Sequence, residues 1–417
     1  MQKQTPLFTL AETEKKGRCV VAVCPIQANT IILCEPSIAT VMYTTSRTSF
    51  CAYCTDSLPN TTTQLACPDC KKIFYCSKKC FRADQLLHKF ECRAYKSARA
   101  EFIQDSDAVH LLRMMSVFAY NEAHSTRLYS DSFPSLPPFN TLTPLQKLFD
   151  LTGHEGSFTG EYETNQRPIC EEALSYLKYQ EVRGMFENVL KYGLHENRCT
   201  ICGKSRHTLP GQARHVCLRK DSAWKTQWSL SKLEFEAITE TLICSWESKH
   251  GKRKQSENEE IPLEMMQATL VPLLISAQSI ADCNAHTIFR DTGFGLFHMG
   301  SMFNHACCPN SAFCHDRRGR IIVVTLRPIR TAEEITVDYS ELCIAMDRRQ
   351  KELKGTYHFD CRCPRCVRTT LNRLGSGTRN KTWAAVVRAE EEFERKQGRM
   401  GAEEADMDQC IHSSTCE

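Results

Sequence analysis

The chain has 417 residues, 41% of them apolar, and a formal charge of +4. That is enough to build two or three domains with true cores, and too little net charge to argue for nucleic acid as a partner. No apolar run approaches the roughly 18 residues needed to span a membrane; the richest, Ala268 to Cys283, is broken by Pro272, Gln278 and Asp282. The segment Met1–Lys16 is polar and charged and carries no secretion signal. Twenty-five cysteines in such a chain point to a reducing compartment, where cysteines close in sequence hold metal more often than they form disulfides. The expectation is a zinc protein of the cytoplasm and nucleus with no membrane anchor.

In chain order, Cys19–Val23, Thr30–Leu33 and Ser37–Tyr43 are rich in Val, Ile and Thr and punctuated by Pro25, Asn29 and Pro36, which predicts short strands. Residues 51–92 are dense in Cys, Lys and aromatics. Helical spacing of Leu111, Leu112, Met115, Phe118 and Ala119 predicts a helix from about Asp107 to His124. Pro134, Pro137, Pro138 and Pro144 with Gly153, Gly156 and Gly160 make 132–168 read as loop. Helices are expected at 170–192, 230–248 and 262–282, then strands at Phe294–Phe297, Ser311–His315, Arg320–Leu326 and Ile335–Val337. There is no internal repeat. Beyond Cys366 one amphipathic helix is expected, Lys381–Lys396, in a tail otherwise too polar to pack.

Four pairs of ligand-type residues fall in 51–92: Cys51/Cys54, Cys67/Cys70, Cys76/Cys80 and His88/Cys92. Each pair can reach one ion from a tight turn or a helical turn. Zinc takes four tetrahedral N or S ligands, so eight ligands mean two closed structural sites. A module this short has few large aliphatics, so metal binding would supply its folding energy.

Three further features lie late in the chain. Asn304-His305-Ala306-Cys307-Cys308-Pro309-Asn310 is a polar, proline-interrupted segment between apolar stretches. Glu333-Glu334-Ile335-Thr336-Val337-Asp338-Tyr339 is a turn and strand ending in tyrosine. Cys361, Cys363 and Cys366 give three thiolates, one short of a tetrahedral set, so a fourth ligand must come from elsewhere. Cys307 or Cys308 is the natural donor.

These residues resemble the SMYD family, in which a MYND zinc finger interrupts a SET methyltransferase domain. Asn304-His305 with Pro309-Asn310 is similar to that family's NHSCxPN motif, with Ala306 for the serine. Ile335 to Tyr339 resembles the segment bearing its catalytic tyrosine, and CxCxxC resembles its post-SET zinc cluster, whose fourth ligand is here Cys307. Phe74-Tyr75-Cys76-Ser77 is similar to the MYND finger. Lys16-Gly17-Arg18 resembles the first cofactor loop, although Cys19 stands where the family usually carries a second glycine. Thr152-Gly153-His154 resembles a cofactor-touching Ser-His, and Cys283-Asn284 resembles the family's CN.

The resemblance implies an α+β fold: a SET-domain β-fold with its pseudoknot, a MYND finger at 51–92, a helical insert at 93–283, a catalytic SET half at 284–340 and a post-SET segment at 341–368. It implies that Cys51, Cys54, Cys76 and Cys80 share one zinc, that Cys67, Cys70, His88 and Cys92 share a second, and that Cys307, Cys361, Cys363 and Cys366 hold a third. It implies S-adenosyl-L-methionine as cofactor, bound by Lys16, Gly17, Arg18, His154, Asn284, Asn304, His305, Tyr339 and Phe359. The implied activity is methyl transfer to lysines of histone or other proteins, with Tyr339 and Tyr357 catalytic and Phe359 lining the lysine channel. Larger relatives cover their substrate cleft with a long C-terminal helical domain; the short tail here predicts a more open cleft. The alternative is a non-catalytic adaptor or transcriptional co-regulator that docks proline-containing peptides on its MYND surface. A monomer is expected. Cys199, Cys202 and Cys217 with His207 or His215 can close a fourth zinc site or can simply be buried or reactive thiols. The basic run Lys249–Lys254 reads as a solvated loop or a nuclear localisation patch.

Overall fold

The computed structural model describes residues 6–13, 16–58, 64–119, 144–151, 160–191, 248, 261–288, 291–316 and 319–373. His154, the 199–217 cysteines and histidines, the 249–254 basic run, the 230–247 part of one expected helix and the 381–396 helix lie outside the described residues.

Small sheets frame the molecule. The hairpin of β1 (Phe8–Thr13) and β2 (Gly17–Ala22) turns at Gly17, whose φ of +66° suits a residue without Cβ. Strand β3 (Ile31–Glu35) pairs with β11 (Ile321–Thr325), which pairs with β10 (Ser311–His315), all antiparallel. Strand β4 (Ala39–Met42) pairs with β8 (Gly293–Leu296), and β8 with β7 (Ala285–Thr287). A Cβ on Gly293 would lie 2.1 Å from the Val41 carbonyl oxygen, so only glycine lets these strands meet. Two more ladders are short: β5 (Leu65–Ala66) with β6 (Phe74–Tyr75), and β9 (Asn304–His305) in parallel with β12 (Thr336–Val337).

Helices fill one side. After α1 (Lys78–Ser97), capped by Ser77 accepting from Cys80 N, come α2 (Ala100–Gln104) and α3 (Ser106–Ala119). Then follow α4 (Pro144–Asp150), α5 (Gly160–Ser175) and α6 (Tyr179–Lys191). Helix α7 (Leu263–Asn284) is apolar on nearly every side and sits in the middle of the bundle, with Met266, Leu270, Leu274, Ala277 and Ile280 all fully buried. No helix among the described residues is long and apolar enough to cross a membrane. Two more helices, α8 (Met346–Tyr357) and α9 (Pro364–Arg373), close the chain.

The structure corrects three sequence expectations. The 132–168 stretch is not all loop, since it holds α4 and the start of α5; Pro144 stands at a first helical position, where its missing N–H costs nothing. The helix expected over 170–192 is two helices, parted at Tyr176–Lys178. The polar N-terminal segment includes a strand, β1, whose Phe8 is buried against Phe303 at 5.8 Å.

Candidate active site

Three chain segments distant in sequence converge on Phe303–Cys307. Buried Glu35 at the end of β3 accepts from Met299 N (2.8 Å) and Gly300 N (2.9 Å), which fixes the 3-10 turn Gly300–Met302 just before Asn304. From the other side, Ile335 N donates to Val20 O and Ala306 N to Val337 O. The 333–337 segment therefore lies between β2 and β9.

Within this frame Asn304 and His305 act as internal struts. The Asn304 amide donates to the Arg18 carbonyl and to Glu334 Oε1, both at 2.9 Å. His305 Nδ1 accepts from Tyr339 N at 3.0 Å, and its Nε2 lies 3.2 Å from Cys307 Sγ. Burial pushes the imidazole down to about 4, and a neutral ring suits a nitrogen that accepts. Both side chains are spent on the scaffold, so any ligand here meets their backbone. Asn310 repeats the device: its Oδ1 accepts from Thr336 N and its Nδ2 donates to Glu334 O, each at 2.8 Å.

The Tyr339 hydroxyl donates to the Phe303 carbonyl at 2.5 Å. Burial, then Tyr357 and Glu334, push its phenol above the ordinary range, so it stays protonated at neutral pH. Around it stand aromatic rings: Tyr357 at 4.7 Å, His305 at 5.5 Å and Phe359 at 6.5 Å, the last edge-on. Tyr357 ends α8, His358 turns the chain with φ +59°, and Phe359 follows. The Tyr357 phenol is likewise raised by burial, with a further contribution from Cys283, which places the end of α7 against this wall.

Cys307, Cys361, Cys363 and Cys366 bring their sulfurs within 4.8 Å of one another, with Cys307 3.9 Å from Cys361 and 3.5 Å from Cys366. Tetrahedral zinc at about 2.3 Å from each sulfur requires S···S separations of about 3.7 Å, so the set fits. Hydrogen bonding among the thiols, Cys307 first, pushes Cys361 up and Cys363 down; a dication at the centre would hold all four as thiolates. Arg349, almost wholly buried, donates from Nε to Cys307 Sγ at 3.3 Å and from Nη1 to the Ile344 carbonyl. Arg365 donates to the carbonyls of Cys307 and Leu342, each at 3.0 Å.

The 51–92 module offers two more four-ligand groups, Cys51/Cys54/Cys76/Cys80 and Cys67/Cys70/His88/Cys92. This is the alternation of pairs that the resemblance implied. Contacts of 3.5 Å between Cys54 and Cys76 and 3.4 Å between Cys70 Sγ and His88 Nε2 suit zinc equally well. Both groups are closed, with no position left for a substrate.

Of the remaining sequence candidates, Lys16 pairs with Glu334 Oε2 at 2.7 Å, and Gly17 begins β2. Arg18 turns its guanidinium away to Asp150, Nη1 to Oδ2 at 3.3 Å, where Asp150 also meets His298 Nε2 at 2.6 Å. Burial raises the Asp150 carboxyl, but Arg18 and His298 outweigh it and hold it below the usual range. Asn284 donates from its side-chain amide to Ile280 O, and its backbone carbonyl accepts from Ser301 Oγ. Asp150, His298 and Arg349 had no signal in the sequence, each being a lone polar residue outside any motif; Glu334 lay inside the Glu333–Tyr339 motif but carried no assigned role.

The sequence model of the SET domain matches residues 17–340. The chain belongs to the SET-domain family. This SET-domain chain is 24% identical over 372 residues to a SET and MYND domain-containing protein of Dictyostelium discoideum, covering 86% of this chain and 81% of that one. It is 22% identical over 356 residues to the histone-lysine N-methyltransferase SMYD3 of Mus musculus, covering 85% of this chain and 60% of the mouse protein. Over 88 residues, 20% of this chain and 18% of the relative, it is 39% identical to the histone-lysine N-methyltransferase ASHR1 of Arabidopsis thaliana. The SET-domain chain thus spans most of the Dictyostelium relative but under two thirds of the mouse one.

Proposed function

We propose that this SET-domain chain is a protein-lysine N-methyltransferase that uses S-adenosyl-L-methionine, with two zinc ions in a MYND-type finger and a third beside the active site. The observation that carries this reading is the Tyr339 hydroxyl on the Phe303 carbonyl, next to the Asn304–Cys307 loop and beneath the Cys307/Cys361/Cys363/Cys366 cluster. The relatives named histone-lysine methyltransferases support it. The proposed substrates are lysines of histone or other proteins in the cytoplasm and nucleus, a compartment in which these thiols stay reduced.

The residues fit a sulfonium cofactor. Carbonyl and phenol oxygens at Phe303 and Tyr339 are converging acceptors, and the Tyr339, Tyr357 and Phe359 rings offer faces to a cation. Cys19, in place of the usual second glycine, is 1% exposed, so its side chain is packed inside the molecule and does not occupy an open cradle. When bound, the cofactor supplies an electrophilic methyl for in-line displacement. The protein's part is alignment and exclusion of water. Loss of bulk water there, together with the neighbouring sulfonium charge, would disfavour a charged ammonium and so help the substrate lysine reach the neutral, nucleophilic form. With its proton committed to Phe303 O, the Tyr339 oxygen keeps lone pairs to orient a methyl group through CH···O contacts. Zinc held by Cys307, Cys361, Cys363 and Cys366 would fix the segment bearing Tyr357 and Phe359 beside Tyr339, and the backbone of Asn304 and His305 would serve the cofactor.

The test is calorimetric titration with S-adenosyl-L-methionine, followed by transfer of radiolabelled methyl to a histone mixture by the parent and by Tyr339→Phe. Binding with transfer that collapses in the variant supports the proposal. A chain that binds no cofactor and labels no protein, while still capturing a proline-containing peptide, is the adaptor instead.

A further inference from the structure

Away from Tyr339, five polar side chains are buried in a row between the 51–92 module and α3. Asp84, His88 and Glu91 stand at i, i+4 and i+7 on one face of α1, so all three point the same way. His88 Nε2 lies 3.4 Å from Cys70 Sγ, within the second ligand group, and His88 Nδ1 faces Glu91 Oε2 at 3.5 Å. Arg113, from α3, reaches both carboxylates: Nε to Glu91 Oε1 at 2.5 Å and Nη1 to Asp84 Oδ1 at 2.8 Å. Asp84 in turn accepts from the Tyr75 hydroxyl at 2.8 Å. None of the five is more than 7% exposed.

Taking two carboxylates and a guanidinium out of water is no better for stability than apolar packing of the same volume. The arrangement calls for another reason, and its geometry supplies one. A histidine that ligates metal through one nitrogen is oriented by what its other nitrogen meets, most effectively a carboxylate. A glutamate alone can swing; an ion pair with a buried guanidinium that is itself hydrogen-bonded to Asp84 restrains it. The first group differs. The polar contacts of its thiols stay inside the module, on Asp56 and Ser77. Arg113 alone comes from outside the module, from a helix whose Leu111, Leu112 and Met115 are fully buried in the main core.

We propose that Arg113 is a positioning residue for the second zinc site, acting through Glu91 to fix the His88 imidazole, so that the body of the protein sets how firmly that site holds its metal. This rests on zinc filling the Cys67/Cys70/His88/Cys92 group. The experiment uses the full zinc-loaded chain and follows metal release to an excess of chromophoric chelator for the parent, Glu91→Gln, Arg113→Lys and the double variant. Expected is release of one zinc ion about 10- to 100-fold faster in each single variant, with the other ions unaffected and the double variant no faster than the quicker single. Glu91→Gln keeps the size and shape of the side chain, so it tests the idea even if Arg113→Lys folds poorly. Parent-like release from Glu91→Gln, equal acceleration of every ion, or multiplying effects in the double variant would each overturn the proposal. A parent chain with no zinc on the second group would instead sink the assignment beneath it, a result told apart by metal content before any chelator is added.

Discussion

Tyr339 and His305 hold one another from both ends: the tyrosine N–H donates to His305 Nδ1 at 3.0 Å, and their rings lie 5.5 Å apart. The phenol is thereby set from its own backbone, and its hydroxyl needs only the Phe303 carbonyl to complete its placement. Removing that hydroxyl should leave the ring in place. Tyr339→Phe is expected to lose about 1 kcal/mol of stability, the worth of one hydrogen bond, and about 100-fold or more in methyl-transfer rate. Denaturant unfolding and single-turnover kinetics measure the two. A rate within threefold of the parent would take the hydroxyl out of the chemistry.

Metal content is the second expectation. Among the described residues, each four-ligand group should contribute one zinc ion, three in all, by elemental mass spectrometry. Cys307→Ser should reduce this to two, because the late cluster has no spare thiol among its set. The variant should also lose activity, since the segment holding Tyr357 and Phe359 is freed. Three ions in Cys307→Ser would mean that another ligand completes the cluster.

Arg349 lies behind the same cluster and joins Cys307 Sγ to the Ile344 carbonyl at the start of α8. Four thiolates around one dication carry a net charge of −2, which a buried guanidinium partly offsets. Arg349→Met should speed chelator-driven loss of the late zinc by about tenfold and leave the two finger ions alone. Because α8 ends in Tyr357, the turnover rate should fall more than cofactor affinity does.

His110 gives the chain an acid sensitivity unrelated to its metals. It is fully buried, edge-on to Phe294 at 4.7 Å, and burial, aided by the Arg113 charge, lowers it to about 4 although the Ala39 backbone opposes the shift. The folded state therefore resists a proton that the unfolded chain accepts below about 6.5. Stability on this account is full above pH 6.5 and falls as pH drops toward 4, by up to about 3 kcal/mol. His110→Leu should flatten that part of the curve between pH 7 and 5, as read by urea midpoints. An unchanged slope would show that the histidine titrates normally.

Much of the site was legible in the sequence because its chemistry comes in fixed spacings. Cysteine pairs two to four residues apart announce metal, and three late thiols announce a missing fourth. The strand Ser311–His315 was readable from its composition and falls where expected. What the sequence concealed depends on distant neighbours. Strand β1 reads Phe-Thr-Leu-Ala-Glu-Thr, with no clean alternation, and is revealed by its ladder with β2 and by Phe8 meeting Phe303. Helices α4 and α5 hide among prolines, one of which, Pro168, stands inside α5. Asp150 meets Arg18 and His298 from 132 and 148 residues away, and Arg349 meets Cys307 from 42 residues away, too far for any local pattern.

The placement of residues 333–337 between β2 and β9 also governs the order in which the protein can be made. Val20 and Ala22 leave the ribosome early, yet their hydrogen-bonding partners Ile335 and Glu333 are translated some 300 residues later. Contacts so remote in sequence form slowly, since a long loop must close before they are rewarded. The finger and the helix bearing Arg113 are available long before that closure. The walls around Tyr339 are thus among the last parts to assemble, and a nascent chain cut short before Glu333 would carry the two ligand groups of the 51–92 module but neither the late cluster nor a reaction chamber.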